Sequence, residues 1–156
     1  MRPLRFLAWL GAAAAAGFVV FGILVWRAVD VTDTTAAEAA RAFTSARNAL
    51  GMTSPLLVRQ ADGALTRRVT KAPEGPEPVS HFYVLSYRVS TSRLTKAEVP
   101  FWFFRLKAPA AQFVVRDTGL DLAALGLTAA DLAAEGPTLI LDETDSAGNR
   151  LLVWTE

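Results

Sequence analysis

Two stretches decide the predicted fold: HFYVLSYRVS at residues 81–90 and VPFWFFRLK at residues 99–107. Four residues of the first stretch alternate along it and share one face of an extended strand: Tyr83, Leu85, Tyr87 and Val89. The second stretch is apolar on both faces over residues 101–104, which is typical of a strand enclosed within a sheet. Together they predict two strands, the second of them in the interior of the sheet.

Further strand pairs lie on both sides of this centre. Residues 55–60 and 64–69 flank Asp62-Gly63, a dipeptide that favours a tight hairpin turn and would place Leu56, Val58, Leu65 and Val69 on one face. A helix from Ser54-Pro55 to Gly63 is the alternative. Near the C-terminus, two strands at 138–144 and 150–155 flank a turn at 145–149.

Helix signals precede and separate these strands. Thr35 and Glu38 have the spacing of a capping box, apolar residues recur every three or four positions after them, and Gly51 stands where a helix would end. Residues 108–136 carry further signals, with a second start at Thr128-Ala-Ala-Asp131 and a stop at Gly136. Residues 71–80 hold three prolines and a glycine and predict a loop.

The predicted order of elements is therefore α-ββ-ββ-αα-ββ. Short connections and hairpins imply an antiparallel sheet, so the prediction is an α+β domain with helices on one face. It spans residues 35–156.

The N-terminal segment FLAWLGAAAAAGFVVFGILVW, residues 6–26, has no charged side chain. As a helix it would extend roughly 31 Å, which matches the hydrocarbon core of a bilayer. It predicts a single transmembrane helix, with a tail at 1–5 and a linker at 27–34. A cleaved signal peptide is the alternative, although hydrophobic regions of signal peptides are usually about 7–15 residues long.

Arg2 and Arg5 precede this segment, whereas Arg27 and Arg41 follow it among acidic residues. The positive-inside rule then predicts a cytoplasmic N-terminus and an extracytoplasmic domain, which is periplasmic in a bacterium. Four residues of the segment follow one another at spacings of three and four and would allow close contact with another membrane helix: Gly11, Ala15, Phe18 and Gly22. Predicted partners are thus the lipid bilayer and another membrane protein or a second copy.

Composition excludes several kinds of chemistry. The chain has no cysteine and one histidine, which excludes disulfides, thiolate sites and most histidine metal sites. Its net charge of +1 gives no reason to expect nucleic acid. Ser80 and His81 are adjacent and would point to opposite faces of a strand, so they predict no nucleophile and base. The acidic run at 142–145 lacks a calcium-loop pattern, so we predict no metal site and no cofactor.

Charge is divided along the chain. Residues 41–116 hold twelve Lys or Arg against four Asp or Glu, and residues 117–156 hold one against eight. We expect Arg59, Arg67, Arg88 or Arg105 to face acidic residues of the C-terminal hairpin. The alternative is a basic surface for anionic lipid or an acidic partner.

These patterns predict a membrane-anchored interaction or assembly domain rather than an enzyme. One alternative is a domain that binds a small molecule or lipid, with the aromatic stretch 99–107 beside a cleft, and another is an enzyme that uses carboxylates scattered along the chain. The candidate ligand or membrane surface consists of Phe101, Trp102, Phe103, Phe104, Arg105 and Lys107.

Overall fold

The computed structural model describes residues 29–51, 54–60, 63–68, 75, 77–104, 118, 120 and 125–156. The predicted anchor at 6–26 lies outside these residues, as do its four candidate contact residues, Arg105 and Lys107. Among the described residues, no helix combines the length and the apolar character needed to cross a bilayer.

The described part of the chain forms an α+β fold with an antiparallel sheet and a few helices. The strands are β1 Val29–Asp33, β2 Leu57–Arg59, β3 Leu65–Arg67, β4 His81–Arg88, β5 Arg93–Pro100, β6 Leu139–Thr144 and β7 Arg150–Thr155. The helices are α1 Ala36–Ala49, α2 Phe101–Phe104 and α3 Ala129–Glu135, and a 3₁₀ turn covers Val89–Thr91. The main sheet has the order β1-β5-β4-β7-β6, and β2 and β3 form a separate hairpin.

The first strand corrects the prediction of a linker at 27–34. Val29 pairs with Ala97, and Asp33 pairs with Arg93, so the chain joins the sheet before it reaches α1. The sequence VDVTD alternates apolar and polar residues over only four positions, 29–32. Because its partner is far away in the chain, no local turn signal marks it as a strand.

The predicted strand at 99–107 is wrong. The strand is β5, and it ends at Pro100, where it lies opposite His81, the first residue of β4. The chain beyond Pro100 has no further β4 residue to pair with, so it leaves the ladder. Phe101 donates its N–H to the carbonyl of Ser80 (2.8 Å), and α2 begins there.

Helices cover both faces of the sheet, which corrects the prediction of one covered face. Strand side chains alternate between faces, and β4 is apolar on each. Ala39 and Phe43 of α1 pack on the face of Leu85 and Tyr87. The opposite face, which includes Phe82 and Val84, packs against α2, α3 and the β2–β3 hairpin.

Several local signals are confirmed. The hydroxyl of Thr35 accepts the N–H of Glu38, and the Glu38 carboxylate accepts the N–H of Thr35, which completes the capping box of α1. The same reciprocal pair joins Thr128 and Asp131 at the start of α3, and Gly136 ends that helix. Gly136 has a φ of 73°, a left-handed value that glycine adopts without strain.

The hairpin at Gly63 is confirmed. Of its predicted inward face, Leu56 and Leu65 are confirmed, Val58 is wrong, and Val69 lies outside the described residues. Leu57 and Leu65 belong to or border the core, whereas Val58 is exposed. Val58 lies opposite Thr66, so both turn away from the main sheet. Leu56 and Leu57 are consecutive and both buried, so the expected alternation of inward and outward side chains does not hold at the start of β2.

Ion pairs join the basic middle of the chain to its acidic C-terminal part. Arg59 donates two hydrogen bonds to the Glu143 carboxylate (2.8 and 3.0 Å), as the charge pattern predicts. Arg67 instead pairs with Asp131 and Glu135 of α3. Each such exposed pair contributes only ~0.2–1 kcal/mol, but together they fix where the hairpin lies.

Candidate functional site

The two edges of the main sheet differ. On the β6 edge, Leu56 donates its N–H to the carbonyl of Leu139 (2.9 Å), so the chain beside the hairpin covers this strand. On the other edge, β1 has a hydrogen-bonded neighbour on one side only among the described residues. Four of its five residues are exposed. The outer edge of β1 is therefore the open edge of the sheet within the described structure.

The sheet face beside this edge is also only partly covered. A helix is about 10 Å wide and neighbouring strands are about 4.8 Å apart, so one helix covers two or three strands. The buried side chains of α1 pack over β4, β7 and β6. A groove of about 390 Å³ remains between α1 and the strands β5 and β1, with Asp30, Thr32 and Lys96 along its outer side.

Lys96, Trp154 and Glu156 line this groove, and Tyr83 packs beside them. Tyr83 and Trp154 stack with ring centroids 5.1 Å apart, and the Lys96 ammonium lies 5.7 Å from the Tyr83 centroid. The Trp154 indole donates to the Glu156 carboxylate (2.9 Å). Burial raises the pKa of Tyr83 to about 12, and the negative charges of Glu98 and Glu156 add to the effect. The Tyr83 hydroxyl is therefore neutral near pH 7 and serves as a polar surface.

His81 lies at the end of the same face. Its Nδ1 is 3.0 Å from the Ser80 hydroxyl, and its Nε2 is 3.7 Å from the Glu98 carboxylate. The expectation that Ser80 points away from His81 is therefore wrong, because Ser80 precedes the regular pleat of β4. The Ser80 hydroxyl donates its proton to the carbonyl of Glu156 (2.8 Å), not to the imidazole. The geometry consequently lacks the hydroxyl-to-imidazole hydrogen bond that activates a serine nucleophile.

The aromatic segment does not form the predicted surface as a unit. Phe101 and Phe103 are buried in the core, and Phe104 packs against it. Trp102 alone among the four is exposed, at 54%. A four-residue helix explains this division, because successive side chains of a helix point in different directions. Three of the four rings fill the core, so they are not a ligand surface.

A second cleft, of about 580 Å³, lies between the hairpin and the β6–β7 end of the sheet. Its acidic side chains already have protein partners: Asp142 pairs with Arg47, and Glu143 pairs with Arg59. The Asp145 carboxylate accepts the side-chain amide of Asn149 and the backbone N–H groups of Ala147 and Asn149, and these bonds lower its pKa. Within the described residues, no group of three or more acidic or histidine side chains is arranged to hold a metal ion.

No protein-family model, curated protein or solved structure matches this chain, so its site is defined by geometry alone. Sequence patterns did not indicate the β1 edge. The weak sequence signal for this strand is the short alternation in VDVTD, which begins three residues after the apolar run ends at Trp26.

Proposed function

We propose that this chain is a single-pass membrane-anchored protein whose extracytoplasmic domain binds a partner protein and does not catalyse a reaction. The observation that carries the proposal is the difference between the two sheet edges. Within the described residues, the chain beside the hairpin donates a hydrogen bond to β6, whereas no described segment pairs with the outer side of β1, although both are edge strands of one sheet. An open edge can accept an extended peptide as an additional strand.

The chemistry of β1 favours a basic and apolar peptide. Asp30 and Asp33 give the strand two negative charges. Asp33 pairs with Arg93 of β5 (3.6 Å), so the proposal relies on Asp30, which lies opposite Lys96 in the ladder. Val31 is 44% exposed and offers an apolar contact at the centre of the strand. A bound strand would therefore place Lys or Arg beside Asp30 and an apolar residue beside Val31, because these two residues point to opposite faces of the strand. Small helix residues such as Ala46 and Ala49 border the groove and leave room for its side chains.

A second copy of this chain is a poorer occupant of the same edge. Two β1 strands side by side would bring four carboxylates together, and like charges on neighbouring strands are destabilising. The aspartates thus oppose self-pairing while they favour a basic partner.

Membrane attachment is the other part of the proposal. It is supported by the uncharged run at 6–26, by Trp26 at its end and by Arg2 and Arg5 before it. Extraction of membranes with alkaline carbonate should leave the protein in the pellet, and protease added outside the membrane should digest the domain. Gly11, Ala15, Phe18 and Gly22 are the residues that we propose for contact with a second membrane helix.

Binding at the edge can be tested with synthetic peptides. Each ladder hydrogen bond contributes ~1 kcal/mol, so about four of them give a dissociation constant near the millimolar range before side-chain contacts. The probe is a seven-residue peptide that alternates Val with Lys or Arg. Its controls are the same peptide with Glu for each cation and one with N-methylated backbone nitrogens. Binding should slow amide exchange in β1.

Matched variants locate the site. Val31→Lys should weaken binding of the basic peptide by tenfold or more, because it replaces the apolar contact with a like charge. Val58→Lys is the control, since Val58 is also an exposed strand valine but lies on the separate hairpin. Equal effects of the two variants, or equal binding of the acidic peptide, would contradict binding at the β1 edge.

A further inference from the structure

One end of the main sheet lies on the side where the chain leads back to the predicted anchor. Val29, the first residue of β1, lies opposite Ala97. The antiparallel neighbour β5 continues for three more residues to Pro100, and α2 follows. Helix α2 therefore stands beyond the start of β1, at the anchor end of the sheet.

The distances along the chain are consistent with a membrane surface at the position of α2. Trp26 ends the apolar run three residues before Val29, and three residues reach at most ~10 Å. Pro100 lies three residues beyond Ala97 in the opposite chain direction, a rise of ~10 Å along the strand. The distance by which α2 lies beyond the start of β1 is therefore about equal to the largest distance that can separate Trp26 from Val29.

Trp102, the exposed side chain of α2, has the chemistry that suits a bilayer interface. Trp102 is the most exposed large apolar residue in the described part of the chain. Its buried neighbours Phe101 and Phe103 fix α2, and the Phe103 ring meets the indole edge-on with centroids 5.6 Å apart. Tryptophan prefers the headgroup level, where its ring leaves water and its N–H keeps a polar partner.

From this placement we infer that the α2 end of the domain rests on the membrane, with Trp102 inserted among the lipid headgroups. The inference rests on the anchor proposed above. Glu98, Glu156 and the half-exposed His81 lie at the same end of the sheet. Because two of them are acidic, the contact is interfacial and apolar, and it does not require anionic lipid.

The experiment uses the full chain in phosphatidylcholine vesicles. The natural chain has no cysteine, so each single-cysteine variant carries one fluorescent label. Trp102→Cys reports on α2, and Ser80→Cys reports on the same end with Trp102 intact. Val89→Cys is the matched control, since Val89 is exposed in the turn between β4 and β5, at the far end of the sheet.

Lipids with a quencher near the headgroup should quench the labels at 102 and 80 at least threefold more than the label at 89. Aqueous iodide should show the reverse order. Quenching by lipid that is equal at all three positions, or strongest at 89, overturns the inference. Flotation of the same vesicles separates the two proposals: protein that fails to float contradicts the anchor itself, whereas floating protein with equal quenching contradicts only the contact of α2 with lipid.

Discussion

Replacing Phe43 by alanine should undo the packing of α1 on the sheet. Phe43 is 1% exposed and, with Ala39, is one of two fully buried residues of this helix. Its ring packs in the cluster of Leu85 and Leu152. The Arg150 guanidinium lies 4.3 Å from the ring centroid on its other side.

The expected loss of stability follows from these contacts. Burial of a phenylalanine side chain contributes about 1.5–3 kcal/mol, and the cavity left by its removal raises the cost of Phe→Ala to about 3–5 kcal/mol. The cation over the ring adds ~0.5–1 kcal/mol. Domains of this size are stable by about 5–15 kcal/mol, so Phe43→Ala should remove a large part of the free energy of unfolding.

Urea unfolding followed by tryptophan fluorescence measures this loss, since Trp154 belongs to the same cluster as Phe43. We expect the midpoint to fall by about 2 M at a typical slope of 1–3 kcal/mol per molar urea. Thr44→Ala is the matched control on the exposed side of α1, and it should change stability by less than about 0.5 kcal/mol. Equal midpoints for the two variants would refute the packing of α1 through Phe43.

Four further predictions concern other parts of the fold. Phe103→Asp should cost several kcal/mol, because it buries an unpaired carboxylate, and a melting temperature within a few degrees of the parent would place the residue outside the core. Thr35→Ala should cost about 1 kcal/mol in a chemical melt through loss of the N-cap. The pKa of Glu38 is lowered mainly by the hydrogen bond from the N–H of Thr35. The stability that the Glu38 carboxylate contributes is therefore present above its unfolded pKa of about 4.5 and is lost as pH falls through its folded pKa. If Glu38→Gln leaves the acid titration of stability unchanged, this prediction is contradicted. Tyr83 should ionise at about pH 12 in an ultraviolet titration assigned with Tyr83→Phe, and the stability it contributes should be lost as pH rises from 10 to 12.

Local signals in the sequence were sufficient for part of this fold. The spacing of Thr35 to Glu38 and of Thr128 to Asp131 located the starts of α1 and α3, since capping depends on residues within one turn. The alternation at 81–88 located β4 for a similar reason. Paired strands close in sequence, such as β6 and β7, were also predictable.

Features that depend on distant residues were not predictable. Strand β5 includes the polar residues Arg93, Lys96 and Glu98, so its pattern does not stand out until β1 and β4 are placed beside it. The aromatic run after Pro100 has a strong strand propensity, but no β4 residue remains for it to pair with. The open β1 edge is a property of sheet order, which a single sequence does not encode locally.

The position of β1 also has a consequence for the reach of the domain. The hairpins β4–β5 and β6–β7 join strands that are close in sequence, whereas β1, within the described residues, joins the sheet through its ladder with β5. Such a peripheral strand is among the first to open in local unfolding. Release of its five residues adds ~17 Å of extended chain at about 3.4 Å per residue. For a chain held by the proposed anchor at 6–26, opening of the ladder between β1 and β5 would let the rest of the domain lie that much farther from the membrane.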